Sequence, residues 1–153
     1  MTTRGSALDV LRAKVEKILA EQFGTYTVDQ EGDVVVDYES ARVFVCSRDW
    51  KQRATVVSIF SVTNVGVPVT PALTLFLARE NLSLLFGHFS LRAEEGAEQG
   101  EVWFGHTLLG DFLDPDELVT ALSTVARMAD KYDDLIRERF GGRLYLEGRP
   151  GPA

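Results

Sequence analysis

The stretch from Asp114 to Gly142, DPDELVTALSTVARMADKYDDLIRERFGG, constrains the fold more than any other part of the chain. It carries the start signal, the period and the stop signal of one long amphipathic helix. Asp114 can cap the free amides of a first turn, and Pro115 suits the first helical position, where no amide hydrogen is needed. Asp116 and Glu117 place negative charge at the positive end of the helix dipole. Leu118, Ala121, Leu122, Val125, Met128, Ala129, Tyr132, Leu135, Ile136 and Phe140 recur at steps of three and four and so form one stripe. Gly141 and Gly142 can take positive φ and end the helix. At about 1.5 Å per residue the element is roughly 39 Å long, enough to cross a whole sheet. Its stripe requires a sheet to lie on. Asp130, Asp133 and Asp134, near Arg137 and Arg139, read as a solvated face with i,i+3 and i,i+4 charge pairs.

The rest of the chain has the period of such a sheet. A first helix is expected from Ser6, where Ser6 and Asp9 have capping-box spacing, with Leu8, Leu11, Val15, Ile18 and Leu19 as its stripe and an end near Gly24. The period then changes to two. Thr25 to Asp29 and Val34 to Tyr38 form a hairpin, Arg42 to Ser47 a third strand, and Ala54 to Val62 a fourth with apolar side chains on both alternations. Thr63 to Pro68 reads as a loop. Thr70 and Pro71 start a second helix to Glu80, apolar almost all round, with Asn81 as its stop. Two more strands, Ser83 to about Ala93 and Glu101 to about Leu109, flank an acidic turn. The order is α-β-β-β-β-α-β-β-α, an α+β fold with an antiparallel sheet and the two terminal helices packed on one face. One domain is expected over residues 1–142, with a Gly- and Pro-rich tail over 143–153 in which Tyr145 and Leu146 can dock before the chain frays.

Charge and composition narrow the function. The net charge of −7 and the absence of a basic stripe argue against nucleic acid as a partner. No segment reaches the roughly 20 apolar residues needed to span a bilayer, the opening MTTRGSALDV lacks the apolar run of a signal peptide, and the single Cys46 fits a reducing compartment. A cytoplasmic protein without membrane contact is therefore expected. No GxSxG, HExxH, paired CxxC, Walker or GxGxxG motif is present. Cys46 lies on an apolar strand with no neighbouring base, which suits a buried structural thiol. His88 and His106 occupy matching words, Leu85-Phe86-Gly87-His88 and Trp103-Phe104-Gly105-His106, and face each other if the hairpin is centred on Ala97. A metal would need further ligands at motif spacing, so two histidines on a half-exposed strand pair are the weightier account. No enzyme activity, cofactor or metal is expected. Gly87 and Gly105 mark bulges or close backbone approaches.

The apolar surplus points to binding. A second helix apolar on every side is either a fully buried core element or lies half in the core and half in a subunit interface, and the second account makes Leu73, Leu75, Phe76 and Leu77 candidates for a dimer interface. Nine phenylalanines, four tyrosines and two tryptophans give more aromatic area than one covered sheet face needs. A peptide groove or a dimer face uses such a surplus; in the peptide reading a client is buried against the first helix and sheet at Leu11, Val15 and Phe44, with strand addition at Tyr26 and Val28.

The element order, the words Asn64-Val-Gly-Val-Pro68, Asn81 ahead of Leu85-Phe86-Gly87, and Ala129-Asp-Lys-Tyr-Asp-Asp134 within Leu113 to Ile136 resemble the YbjN-like family, which is related in fold to the type III secretion chaperones. The resemblance runs from about Leu8 to Phe140. It implies a small acidic homodimer that holds an extended peptide of a protein client, or a sensory or regulatory role. The expectation is a non-enzymatic, homodimeric peptide- or protein-binding module; the alternative is a small-molecule-sensing regulatory domain with its pocket between sheet and second helix.

Overall fold

A computed structural model describes residues 4–147. The chain runs α1 (Arg4–Gln22), β1 (Thr27–Val28), β2 (Val34–Tyr38), β3 (Ala41–Trp50), β4 (Ala54–Pro68), α2 (Pro71–Ser83), β5 (His88–Arg92), β6 (Gln99–Leu109), α3 (Pro115–Phe140) and β7 (Arg143–Leu144). The sheet has the order β1-β2-β3-β4-β6-β5, every pairing antiparallel, and β7 adds to the far end of β4. The helices share one face. The core lies between them and the alternate strand residues Val34, Val36, Val43, Val45, Val57, Ile59, Val102 and Phe104.

The long final helix forms as its sequence demands. Asp114 accepts from the Asp116 amide at 2.8 Å, Pro115 takes the first turn, and Gly141 at φ 91° closes the end, its amide donating to the Arg137 carbonyl. Leu118, Val125, Ala129 and Ile136 lose all contact with solvent against the sheet. Burial of this kind stabilises a leucine- or isoleucine-sized side chain by about 1.5–3 kcal/mol. In α1 the stripe Leu11, Val15, Ile18 and Leu19 is buried, and Gly24 at φ 73° ends the helix by donating to the Leu19 carbonyl. The helix is already formed at Arg4, so Ser6 is inside it and not its cap.

Three expectations change. The segment Thr63 to Pro68 is no loop: β4 continues to Pro68 through two register shifts, around Asn64 and before Val67. The polar residues that suggested a loop are tied inward. Thr63 Oγ1 donates to the Val102 carbonyl at 3.0 Å, and the fully buried Asn64 donates from Nδ2 to the Asp133 carbonyl of α3 at 2.8 Å. Second, residues after Gly142 join the fold. Arg143 and Leu144 pair with Val65 and Asn64, Leu144 is buried, and the Tyr145 amide donates to the Thr63 carbonyl. The expected tail beyond Glu147 lies outside the described residues.

Third, Asn81 does not stop α2, which runs on to Ser83. Its side chain instead clips the edge strand β5. Oδ1 accepts from the Phe89 amide at 2.6 Å and Nδ2 donates to the Phe89 carbonyl at 3.0 Å, as a neighbouring strand would.

Candidate functional site

At the β1 end of the sheet an edge is open. β1 covers only Val34 and Val35 of β2, so the outer side of Val36 to Tyr38 has no strand partner among the described residues. A cavity of about 300 Å³ adjoins this stretch. Phe23, Val36, Leu122 and Ala126 give it an apolar floor and wall, and Ser123 and Arg127 of α3 stand at its side. An extended segment that paired with β2 here would set alternate side chains into that cavity.

The sheet face away from the helices carries a row of aromatic rings. Tyr145 meets Phe44 edge-on at 6.1 Å, Phe44 stacks on Phe60 at 5.3 Å, and Phe60 stacks on Trp103 at 4.8 Å. The Arg92 guanidinium lies 3.9 Å over the Trp103 ring. Two ion pairs sit at the β2 end of this face, Arg42 on Asp37 and Arg48 on Asp33, both bidentate. Burial by itself would raise the pKa of Asp33, but its hydrogen bonds and charge attraction to Arg48 outweigh burial and hold it below the usual carboxylate value. Cys46 is buried nearby, and desolvation, followed by the Asp33 charge, pushes its thiol up to about 12. Burial and a raised pKa both disfavour the thiolate that a nucleophile needs.

A third surface is the outer side of α2 and the turn after it. Leu75 and Leu82, seven residues apart on one helix side, are 50% and 90% exposed, and Leu85 is 87% exposed beside the half-covered Phe86.

These surfaces sort the residues expected from the sequence. Of the dimer candidates, Leu73 and Leu77 are buried in the core, Phe76 is wedged between Tyr132 and Phe140 with Arg139 over its ring, and Leu75 points outward. Of the peptide candidates, Leu11 and Val15 are buried, because the single stripe of α1 is used against the sheet. Val28 is exposed on the edge strand, Tyr26 is half-buried before it with its hydroxyl 3.3 Å from Glu16, and Phe44 lies in the aromatic row. Leu82, Leu85 and the residues lining the edge cavity were missed, since periodicity does not say where a neighbouring strand stops.

His88 and His106 are not opposite each other. The turn is centred between Gly96 and Ala97, so His88 faces Gly105 and the alternation sends His106 to the other face. There His106 Nδ1 accepts from the Gly87 amide at 3.1 Å, which requires a neutral ring; burial, and then the nearby His88, lower its pKa accordingly. No three His, Cys, Asp or Glu residues converge to hold a metal among the described residues. Close approach at Gly87 is real: a Cβ there would lie 2.6 Å from the Phe104 ring.

Asp133, placed on the solvated face by its charge, is 2% exposed. Burial raises its pKa, and its Oδ2 lies 2.6 Å from Ser40 Oγ. The signal was present, since position 133 falls on the stripe between Ala129 and Ile136.

No helix of the described residues is long and apolar enough to cross a membrane. No curated protein matches the chain. Among solved structures, a chain of the crystal structure of the ExsC-ExsE complex is similar, with a TM-score of 0.56 and 19% identity over 82% of this chain and 95% of that one. At that identity the likeness is one of fold. The family model described as T3SS (YopN, CesT) and YbjN peptide-binding chaperone 1 matches residues 9–148. The chain therefore belongs to the family of YbjN and type III secretion peptide-binding chaperones.

Proposed function

We propose that the chain is a non-enzymatic, cytoplasmic, homodimeric chaperone-like module that holds an extended segment of a client protein. The observation that carries this reading is the open β2 edge beside an apolar cavity. Main-chain hydrogen bonds along Val36 to Tyr38 and the exposed Val28 strand supply affinity, and the cavity selects an apolar side chain. Two copies meet through Leu75 and Leu82, with Leu85 and Phe86 extending the patch.

Capture on the tagged chain, read by mass spectrometry, is expected to yield a reproducible protein client that Ser123→Phe no longer retains, because the new ring fills the cavity. A clean column, or a client held equally by Ser123→Phe, refutes the edge site. For the dimer, Leu75→Asp is expected to give a monomer with an unchanged circular dichroism spectrum. Leu73→Asp should unfold the chain, since burying an unpaired carboxylate costs several kcal/mol. A Leu75→Asp variant that light scattering still shows as a dimer excludes α2 as the interface.

A further inference from the structure

The open sheet face contains a depression one side chain wide. Gly105 of β6 has Phe60 of β4 and His88 of β5 as its cross-strand partners. Trp103 and Thr107 flank it along β6 on the same face. Ser58 stands opposite Thr107, and Ser90 opposite Trp103. Neighbouring strands are about 4.8 Å apart and same-face residues roughly 7 Å apart, so a glycine amid larger side chains leaves a walled hole. The cavity at this point measures about 190 Å³. Gly105 is not readily replaced, for a Cβ would stand 3.1 Å from both the Ile59 carbonyl oxygen and Phe60 Cβ.

The walls have one chemistry. Arg92, held over the Trp103 ring at 3.9 Å, brings a guanidinium to the rim. Its cross-strand partner Glu101, on the same face, makes no ion pair with it and accepts from Trp103 Nε1 at 2.8 Å. Arg92 has no ion pair among the described residues. The hydroxyls of Ser58, Ser90 and Thr107 make no side-chain hydrogen bond there either, and the exposed imidazole of His88 adds a further donor.

We propose that this pocket binds a single carboxylate, paired with Arg92, hydrogen-bonded by the hydroxyls and His88, and flanked by the rings of Phe60 and Trp103. One guanidinium with hydroxyl donors around it matches a planar monoanion. The net charge of −7 works against polyanions. The carboxylate is that of a small free acid or of a Glu or Asp side chain in a bound peptide. The pocket lies away from the β2 edge, and its recognition stands whether or not a client strand adds there.

Trp103 reports on the site once Trp50 is replaced, because the chain has two tryptophans. A Trp50→Phe protein is titrated with glutarate, with a capped Gly-Gly-Glu-Gly-Gly peptide, and with its Gln counterpart, and the midpoint of the fluorescence change is read. Saturation by an acid and none by the Gln peptide is expected, with Arg92→Gln raising the midpoint about tenfold through loss of a charge-assisted pair. Tighter binding of the peptide than of glutarate identifies a side-chain ligand; the reverse identifies a free acid. Equal responses to the Glu and Gln peptides, saturation by neither acid, or an unchanged midpoint in a natively folded Arg92→Gln overturns the proposal.

Discussion

Replacing Ser40 by alanine should destabilise the chain through a carboxyl group that the fold buries. Ser40 Oγ carries one hydrogen, yet it lies 2.7 Å from Asp130 Oδ1 and 2.6 Å from Asp133 Oδ2. Only one of these short contacts can use the serine hydrogen, so the other needs a hydrogen from a carboxyl. Asp133, with its pKa raised by burial, is the carboxyl that takes up this hydrogen first as pH falls, and then completes a relay from Asp133 to Ser40 to Asp130. In Ser40→Ala the Asp133 Oδ2 loses its partner while still buried, which costs about 1–3 kcal/mol. For a domain of about 150 residues, 2 kcal/mol lowers Tm by about 4–8 °C.

Asp133→Asn separates this account from simple packing. The amide can donate to Ser40 Oγ as the protonated acid does, and its oxygen still accepts from the Asp134 amide, 2.6 Å away in the parent. A carboxyl whose folded pKa lies above the usual 3.8 contributes stability that is present below that value and is lost as pH rises through the folded pKa. The Asn variant has no such loss. Its stability relative to the parent should therefore improve from pH 4.5 to pH 7, where it at least equals the parent; other titrating groups are shared and cancel in the difference. Urea unfolding followed by circular dichroism at both pH values measures this. A Ser40→Ala effect under about 0.5 kcal/mol, the range of an ordinary surface change, would refute the relay. So would an Asp133→Asn variant as unstable as Asp133→Ala.

Two further outcomes follow from the open face. Arg48→Met should cost about 1–3 kcal/mol at neutral pH by leaving the buried Asp33 carboxylate unpaired. Its acid dependence should also reverse. With Arg48 the lowered Asp33 pKa makes stability fall as pH drops below the usual carboxylate value, whereas without it burial raises that pKa and the variant recovers relative to the parent on acidification, as parallel urea titrations would show. Cys46, with its thiol pushed up to about 12, should fail to react with a disulfide reagent at pH 8 in the native protein and react fully in urea.

The sequence was most legible where local chemistry and tertiary need agreed. Asp114, Pro115 and the Gly141-Gly142 pair mark both ends of α3, and its stripe names the residues that the sheet buries. It was least legible where a polar residue is used inward. Asn64 and Thr63 read as loop because their partners, the Asp133 and Val102 carbonyls, are distant in the chain. Asp133 read as solvated because its charge outweighed its place on the stripe. Register is similarly hidden, and a shift of one residue was enough to send His88 and His106 to opposite faces. The Gly105 depression combines residues from three strands, and the β2 edge cavity residues from β2, α3 and the loop after α1. No single stretch of sequence can display them.

The clip between Asn81 and Phe89 has a bearing on assembly. A filament built by sheet extension needs every copy to offer two exposed borders, one to receive and one to give. On this chain the Phe89 amide and carbonyl at the β5 border are already taken, and α2 stands against that strand. At the other border, β1 and the outer side of Val36 to Tyr38 have no further strand partner among the described residues. Growth of the ladder past β5 would have to break the Asn81 contacts to Phe89, so extension by sheet pairing is confined to the β1-β2 side. A border closed by a side chain of the same fold is one that an unpaired strand of another molecule cannot readily use.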